Sequence, residues 1–162
     1  MKFEKLITAL VTAAILACAP AVSCAGTPGQ LPLADDLAAT AMQARKRGVP
    51  ILLAFTQTGC PYCTRARNDH LLPLQSNAAY GAKVIIREID IHRTGALRGF
   101  AGEPITPAVF ARRYRVTKVP TVIVVDYDGN PLADPVVGLL IEDYYQLYLE
   151  QAIDSGYLKL RR

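Results

Sequence analysis

The sequence has 162 residues, 51% of them apolar and 20% charged, the balance of one soluble domain that can bury a core without staples. Its net charge is +4, part of it at the two ends, in Lys2, Lys5, Lys159, Arg161 and Arg162. That surplus, with no basic run interleaved with aromatics, argues against a nucleic-acid partner, and no internal repeat or low-complexity segment is present.

Residues 1–25 read as a signal peptide. Lys2 and Lys5 give a positive start, and Leu6 to Ala17 is an uninterrupted run of apolar and small residues. The run is short for a bilayer span but fits a signal-peptide core. Ala19-Pro20-Ala21 and Ser23-Cys24-Ala25 both offer small residues at cleavage spacing, while Pro20, Pro28 and Pro32 argue against a buried N-terminal helix. Cleavage after Ala25 would leave Cys60 and Cys63 as the remaining cysteines, with no spare thiol in an oxidising compartment. The expected location is the periplasm. The competing reading is a lipoprotein anchored at Cys24 or Cys18. Ala21-Val22-Ser23-Cys24 and Ile15-Leu16-Ala17-Cys18 each resemble a lipobox but lack the usual leucine three residues before the cysteine, so a soluble product is favoured.

Residues 26–34, rich in Gly and Pro, read as a mobile linker, and residues 35–162 as one domain. Asp35-Asp36 opens a helix with apolar residues at Leu37, Ala38, Ala41, Met42 and Ala44, closed by Arg45-Lys46-Arg47-Gly48. Ile51 to Phe55 is a continuous apolar strand, as in a sheet covered on both faces. A helix follows Gly59-Cys60-Pro61-Tyr62-Cys63 and runs to Leu71-Leu72, where Pro73 is expected to kink or end it. Lys83 to Ile91 reads as a strand and His92 to Pro104 as a glycine-dotted loop. A short helix spans Pro107 to Arg113, and Thr121 to Val125 is a third buried strand. Asp128-Gly129 marks a turn into a short strand ending near Val137, and a helix from Glu142 to Ser155 closes the chain. The order α-β-α-β-α-β-β-α indicates an α/β fold, a central mixed sheet with helices on both faces.

Two cysteines two residues apart, between a buried strand and a helix, have a specific chemical use. Cys60 at the helix N-terminus meets unpaired N–H groups that stabilise a thiolate. Pro61 suits the first helical position, and Cys63 lies one turn on, within reach of a disulfide. Cys60 is therefore expected to attack a partner disulfide and Cys63 to resolve the mixed disulfide. Structural zinc, with His70 and His92 completing the set, is disfavoured by the distance between the histidines in sequence. A purely structural disulfide closing so small a loop would stabilise little. No metal and no cofactor are expected.

The run Ile51 to Cys63 followed by a helix, together with Val119-Pro120-Thr121 and Gly129, resembles the thioredoxin superfamily from about Asp35 to Ser155. The resemblance implies a thioredoxin fold, a cis Pro120 facing the cysteines, and a substrate groove flanked by Val119 and Thr121, with Gly138 before the last helix. Pro61 and Tyr62 would contribute to substrate binding, Tyr62 as an exposed ring at the groove edge. Departures accompany it. Gly59 replaces the usual tryptophan, and Ala54 replaces the buried acid of the first core strand. Glu88 could stand in as a buried acid, whereas Asp90 reads as a solvated strand end. The sequence looks most like the periplasmic thioredoxin-like proteins of sulfur oxidation (the SoxW-like group) or cytochrome maturation, which implies a reductant of exported proteins with disulfides or thiols, supplied by an upstream membrane electron donor. The sister readings are an oxidase or isomerase, and a non-catalytic binding or metal-handling module. The loop His92 to Pro104 reads either as a partner-selecting insertion or as a tolerated surface one. Arg112, Arg113, Arg115 and Lys118 near Pro120 read as a solvated face, with an acidic partner as the alternative. Tyr144, Tyr145, Tyr148 and Tyr157 are expected to divide between core and surface, and His70 to lie on a helix surface.

Overall fold

The computed structural model describes residues 29–139 and 142–162. The expected signal peptide, with Cys18 and Cys24, lies outside the described residues. The core strands follow from the two apolar runs. β1 (Ile51–Thr56) and β5 (Thr121–Val125) are buried at every position. They pair antiparallel, with Phe55 opposite Thr121, at the centre of a four-stranded sheet ordered β2-β1-β5-β6. β2 (Ile85–Asp90) runs parallel to β1, with Ala54 opposite Glu88, and β6 (Val136–Val137) is antiparallel to β5.

Because side chains alternate along a strand, each face of the sheet gathers its own core. Ile51, Leu53 and Phe55 meet Leu37, Ala41 and Ala44 of α1 (Leu37–Arg47) and Phe110 and Ala111 of α5 (Pro107–Arg113). Leu52 and Ala54 meet Ala66, Leu71 and Leu74 on one side and Tyr145, Leu149 and Ile153 of α6 (Glu142–Lys159) on the other. The mixed sheet with helices on both faces is the thioredoxin fold.

Four local expectations need correction. Residues 26–34 were expected to be a linker throughout, but the chain is docked from Leu31 onward. Leu31 and Ala34 are buried, the Ala34 N–H donates to the Glu88 carbonyl, and the Glu88 N–H donates to the Pro32 carbonyl. Pro32 has no N–H to offer, yet on a sheet edge its carbonyl is all that β2 requires. Of the two outcomes expected at Pro73, a kink or an end, the helix does not end there. The chain passes from α2 (Pro61–Arg65) through a π-helical segment (Ala66–Leu71) into α3 (Leu72–Ser76), followed by α4 (Ala78–Gly81). In a regular α-helix Pro73 would clash with the carbonyl of Asp69, and the wider π turn just before it relieves that clash.

His92 to Pro104 is not an irregular loop. It holds the hairpin β3 (Leu97–Arg98) and β4 (Pro104–Ile105), with Leu97 and Ile105 buried in the α1 core. The Arg98 N–H donates to the Asp35 carbonyl, and Arg93–Asp35 and Arg98–Asp36 ion pairs tie the hairpin to the start of α1. The last helix extends beyond Ser155 to Lys159.

Candidate active site

β1 delivers the chain to the redox pair. After Thr56 the backbone turns through Gly59, whose φ of +79° is a conformation that side-chain-bearing residues rarely adopt. α2 then begins at Cys60, which occupies the N-cap, with Pro61 in the first turn. The Cys63 N–H donates to Cys60 Sγ at 3.1 Å. The two cysteines form a disulfide with their Cα atoms 5.3 Å apart. Their exposures differ: Cys60 is half-buried, whereas Cys63 is completely buried. A partner sulfur can therefore meet Cys60, and Cys63 can be reached only from within the site. Pro61 is exposed, and Tyr62 is 57% exposed, so its ring stands at the surface beside Cys60.

The second part of the site is the turn before β5. The Val119–Pro120 peptide is cis. Since Thr121 pairs with Phe55, Pro120 lies at the end of the sheet where β1 leads on to the cysteines. Val119 is half-buried and Pro120 buried. Thr121 is buried as well, and its hydroxyl donates to the Lys118 carbonyl at 2.8 Å, so its side chain braces the turn from inside. The Gly138 N–H donates to the Pro120 carbonyl at 2.7 Å, joining β6 to the same turn.

Two carboxylates support the redox pair from β2. Glu88 is 6% exposed and lies opposite Ala54, on the sheet face under the cysteine-bearing helix. Its carboxylate accepts from the Thr56 hydroxyl at 2.7 Å and from Arg67 Nε at 3.0 and 3.1 Å, with Arg67 Nη2 completing an ion pair. The hydrogen bond from Arg67 to Glu88 outweighs burial and raises the guanidinium above its ordinary value. Glu88 is thus a buried acid whose partner, Arg67, carries only one signal in the sequence, its position four residues after Cys63.

Asp90 is partly buried and is more than a solvated strand end. It accepts from the Thr58 N–H, the Thr58 hydroxyl and the His92 N–H, so it ties the turn before Cys60 to the end of β2. Burial would raise its carboxyl, but these hydrogen bonds prevail and hold it below its ordinary value.

The remaining candidates fall elsewhere. His70 is half-buried rather than free on the surface, its ring edge-on to Tyr145 at 4.9 Å and Nδ1 3.3 Å from Gln146 Oε1. His92 is exposed, and no group of three or more metal-ligating residues gathers among the described residues. Arg113 pairs with Glu103, while Arg112, Arg115 and Lys118 are exposed. Tyr145 is buried in the α6 core, and Tyr144 and Tyr148 are exposed.

Against this geometry, the family model described as a thioredoxin-like domain matches residues 37–153. The chain belongs to the thioredoxin-like domain family. Solved structures agree on the fold. A thioredoxin-fold protein of Helicobacter pylori is 20% identical with a TM-score of 0.54, over 68% of this chain and 73% of that one. Oxidised mitochondrial thioredoxin 3 of Saccharomyces cerevisiae is 18% identical with a TM-score of 0.52, over 76% and 93%. Fasciola hepatica thioredoxin is 16% identical with a TM-score of 0.53, over 78% and 99%. Comparison with curated proteins gives no match. With the family fold and a closed pair at Cys60 and Cys63, this thioredoxin-like protein is a thiol–disulfide oxidoreductase.

Proposed function

We propose that the protein reduces disulfides of exported partner proteins in the periplasm. The observation that carries this reading is the asymmetry of the pair, Cys60 accessible at the start of α2 and Cys63 buried behind it. In the reducing direction the Cys60 thiolate attacks a partner disulfide. One partner sulfur leaves as a thiolate and a mixed disulfide forms. Cys63 then loses its proton and attacks Cys60 Sγ. That step closes the Cys60–Cys63 bond and releases the second partner thiolate, so two electrons have passed to the partner. The Cys63 N–H aimed at Cys60 Sγ favours the Cys60 thiolate that makes the first attack. The substrate chain pairs with the backbone of Val119, which the cis Pro120 presents, with Tyr62 and Pro61 on the opposite lip; the Thr121 side chain supports the turn from below.

The location rests on residues 1–25 of the sequence, and no helix among the described residues is long and apolar enough to cross a membrane. Cleavage after Ala25 gives a soluble protein; lipidation at Cys24 or Cys18 would instead anchor it. Repeated turnover calls for a membrane electron donor that re-reduces the pair. The direct test is trapping. Cys63→Ser should accumulate covalent complexes with exported proteins that a thiol reductant releases. Equal trapping by the Cys60→Ser, Cys63→Ser double variant would refute the mechanism.

A further inference from the structure

The exchange chemistry above makes no use of the Arg67–Glu88 pair, although it lies in the layer between the redox helix and the sheet. A buried ion pair is weak evidence of stability, because apolar residues of the same volume often serve as well or better. The location of this pair points to the site. Glu88 shares a sheet face with Ala54 and Thr56, and it accepts from both Thr56 and Arg67. Arg67 follows Cys63 by four residues, which places it about one helical turn away on the same side. Cys63 itself is completely buried. Burial disfavours a thiolate, yet Cys63 has to give up its proton to attack Cys60 Sγ. A guanidinium on this face offsets part of that penalty, and the carboxylate that holds it in place also tempers its field.

We infer that Arg67 is a positioning residue for the resolving step, clamped by Glu88 and Thr56 so that its positive charge favours ionisation of Cys63, with Glu88 setting the strength of that field. The inference rests on the reading of Cys60 and Cys63 as the exchanging pair. The other groups around Cys63 are limited. β1 and β5 contain no ionisable residue. β2 adds Asp90, whose carboxylate is engaged by Thr58 and His92. The redox helix and the π-helical segment after it add Cys60 and the half-buried His70, with Tyr62, Arg65 and Asp69 at exposed positions, and α6 adds Tyr145, whose phenol is raised by burial. Removing Glu88's charge and removing Arg67's charge should therefore act on Cys63 in opposite directions, which a purely structural role would not produce.

The test is the pH titration of the Cys63 13Cβ resonance in the full, reduced chain carrying Cys60→Ala, so that Cys63 titrates without its partner. Glu88→Gln keeps the shape and leaves the guanidinium uncompensated. Its midpoint should fall by roughly one pH unit, the usual scale for a neighbouring charge. Arg67→Gln should raise the midpoint by a similar amount, and Arg67→Lys should remain near the parent chain. Shifts of the same sign, or no shift with Glu88→Gln, would overturn the inference. Should Arg67→Gln fail to fold, Glu88→Gln and Arg67→Lys still decide it, a fall with one and retention with the other being required. Exchange with a small peptide disulfide is measured in parallel on the unsubstituted chain. Failure there would remove the functional reading, while exchange with an unmoved Cys63 would remove only this one.

Discussion

Asp90 shows how one side chain fixes the approach to the cysteines. It joins Thr58, two residues before Cys60, to the end of β2 through backbone and hydroxyl donors. Replacing it with alanine removes three acceptor contacts and leaves two N–H donors without a partner. Hydrogen bonds to a charged acceptor contribute about 1.5–3 kcal/mol each, so Asp90→Ala should destabilise the domain by about 2 kcal/mol once solvent replaces part of them. Urea unfolding of the variant measures this, and a loss below about 0.5 kcal/mol would show the clamp to be slack. The contribution also depends on pH. A carboxyl held below its ordinary value in the folded chain takes up a proton less readily than in the unfolded chain. Its stabilisation is therefore full above the ordinary carboxylate range and is lost as pH falls through the folded value, below about pH 4. Asp126 acts with the same sign: burial opposes it, but hydrogen bonds from Asn130, Asp128 and Gly129 prevail. Acid-unfolding curves between about pH 2 and 6 should flatten in Asp90→Asn. Sequence alone placed Asp90 at a strand end, where solvent is the ordinary surrounding; the Thr58 and His92 donors that gather around it come from segments joined only in the folded sheet.

At the scale of elements, what was legible is what local periodicity dictates. β1 and β5 read as continuous apolar runs and are buried at every position. The first helix announced both ends, with Asp36 accepting from the Ala39 N–H and Gly48 at a φ of +66°. Elements whose stability is tertiary were less legible. The β3–β4 hairpin is two residues per strand among Gly95, Gly99 and Gly102, too short for any pattern, and it is held by Leu97, Ile105 and ion pairs to Asp35 and Asp36. Leu97 is 2% exposed, so Leu97→Ala should cost about 2–5 kcal/mol, the range for truncating a buried leucine. Thermal unfolding tests this. A loss under about 1 kcal/mol would mean that the hairpin sits on the domain without belonging to its core. The π-helical segment before Pro73 is a further case, since a proline argues for a break and nothing local shows that a widened turn accommodates it.

Across the whole molecule, the site is the meeting of three segments at one end of the sheet: the cysteine turn after β1, the cis Val119–Pro120 turn before β5, and the carboxylates of β2. Motif spacing was enough to identify the first, Cys60-Pro61-Tyr62-Cys63, whereas the second followed from the resemblance to the thioredoxin superfamily, since a proline before an apolar strand is by itself also an ordinary strand start. The third depends on strand register, which brings Glu88 beside Ala54 and under Arg67. The resulting arrangement gives one accessible sulfur, one buried sulfur and a charged layer beneath, suited to passing two electrons to a partner and releasing it. The reduction potential of the Cys60–Cys63 couple, equilibrated against glutathione, tests that account most directly. A reductant should give a value near or below about −250 mV, whereas one near about −120 mV would contradict the reducing direction and make the protein an oxidant of partner thiols.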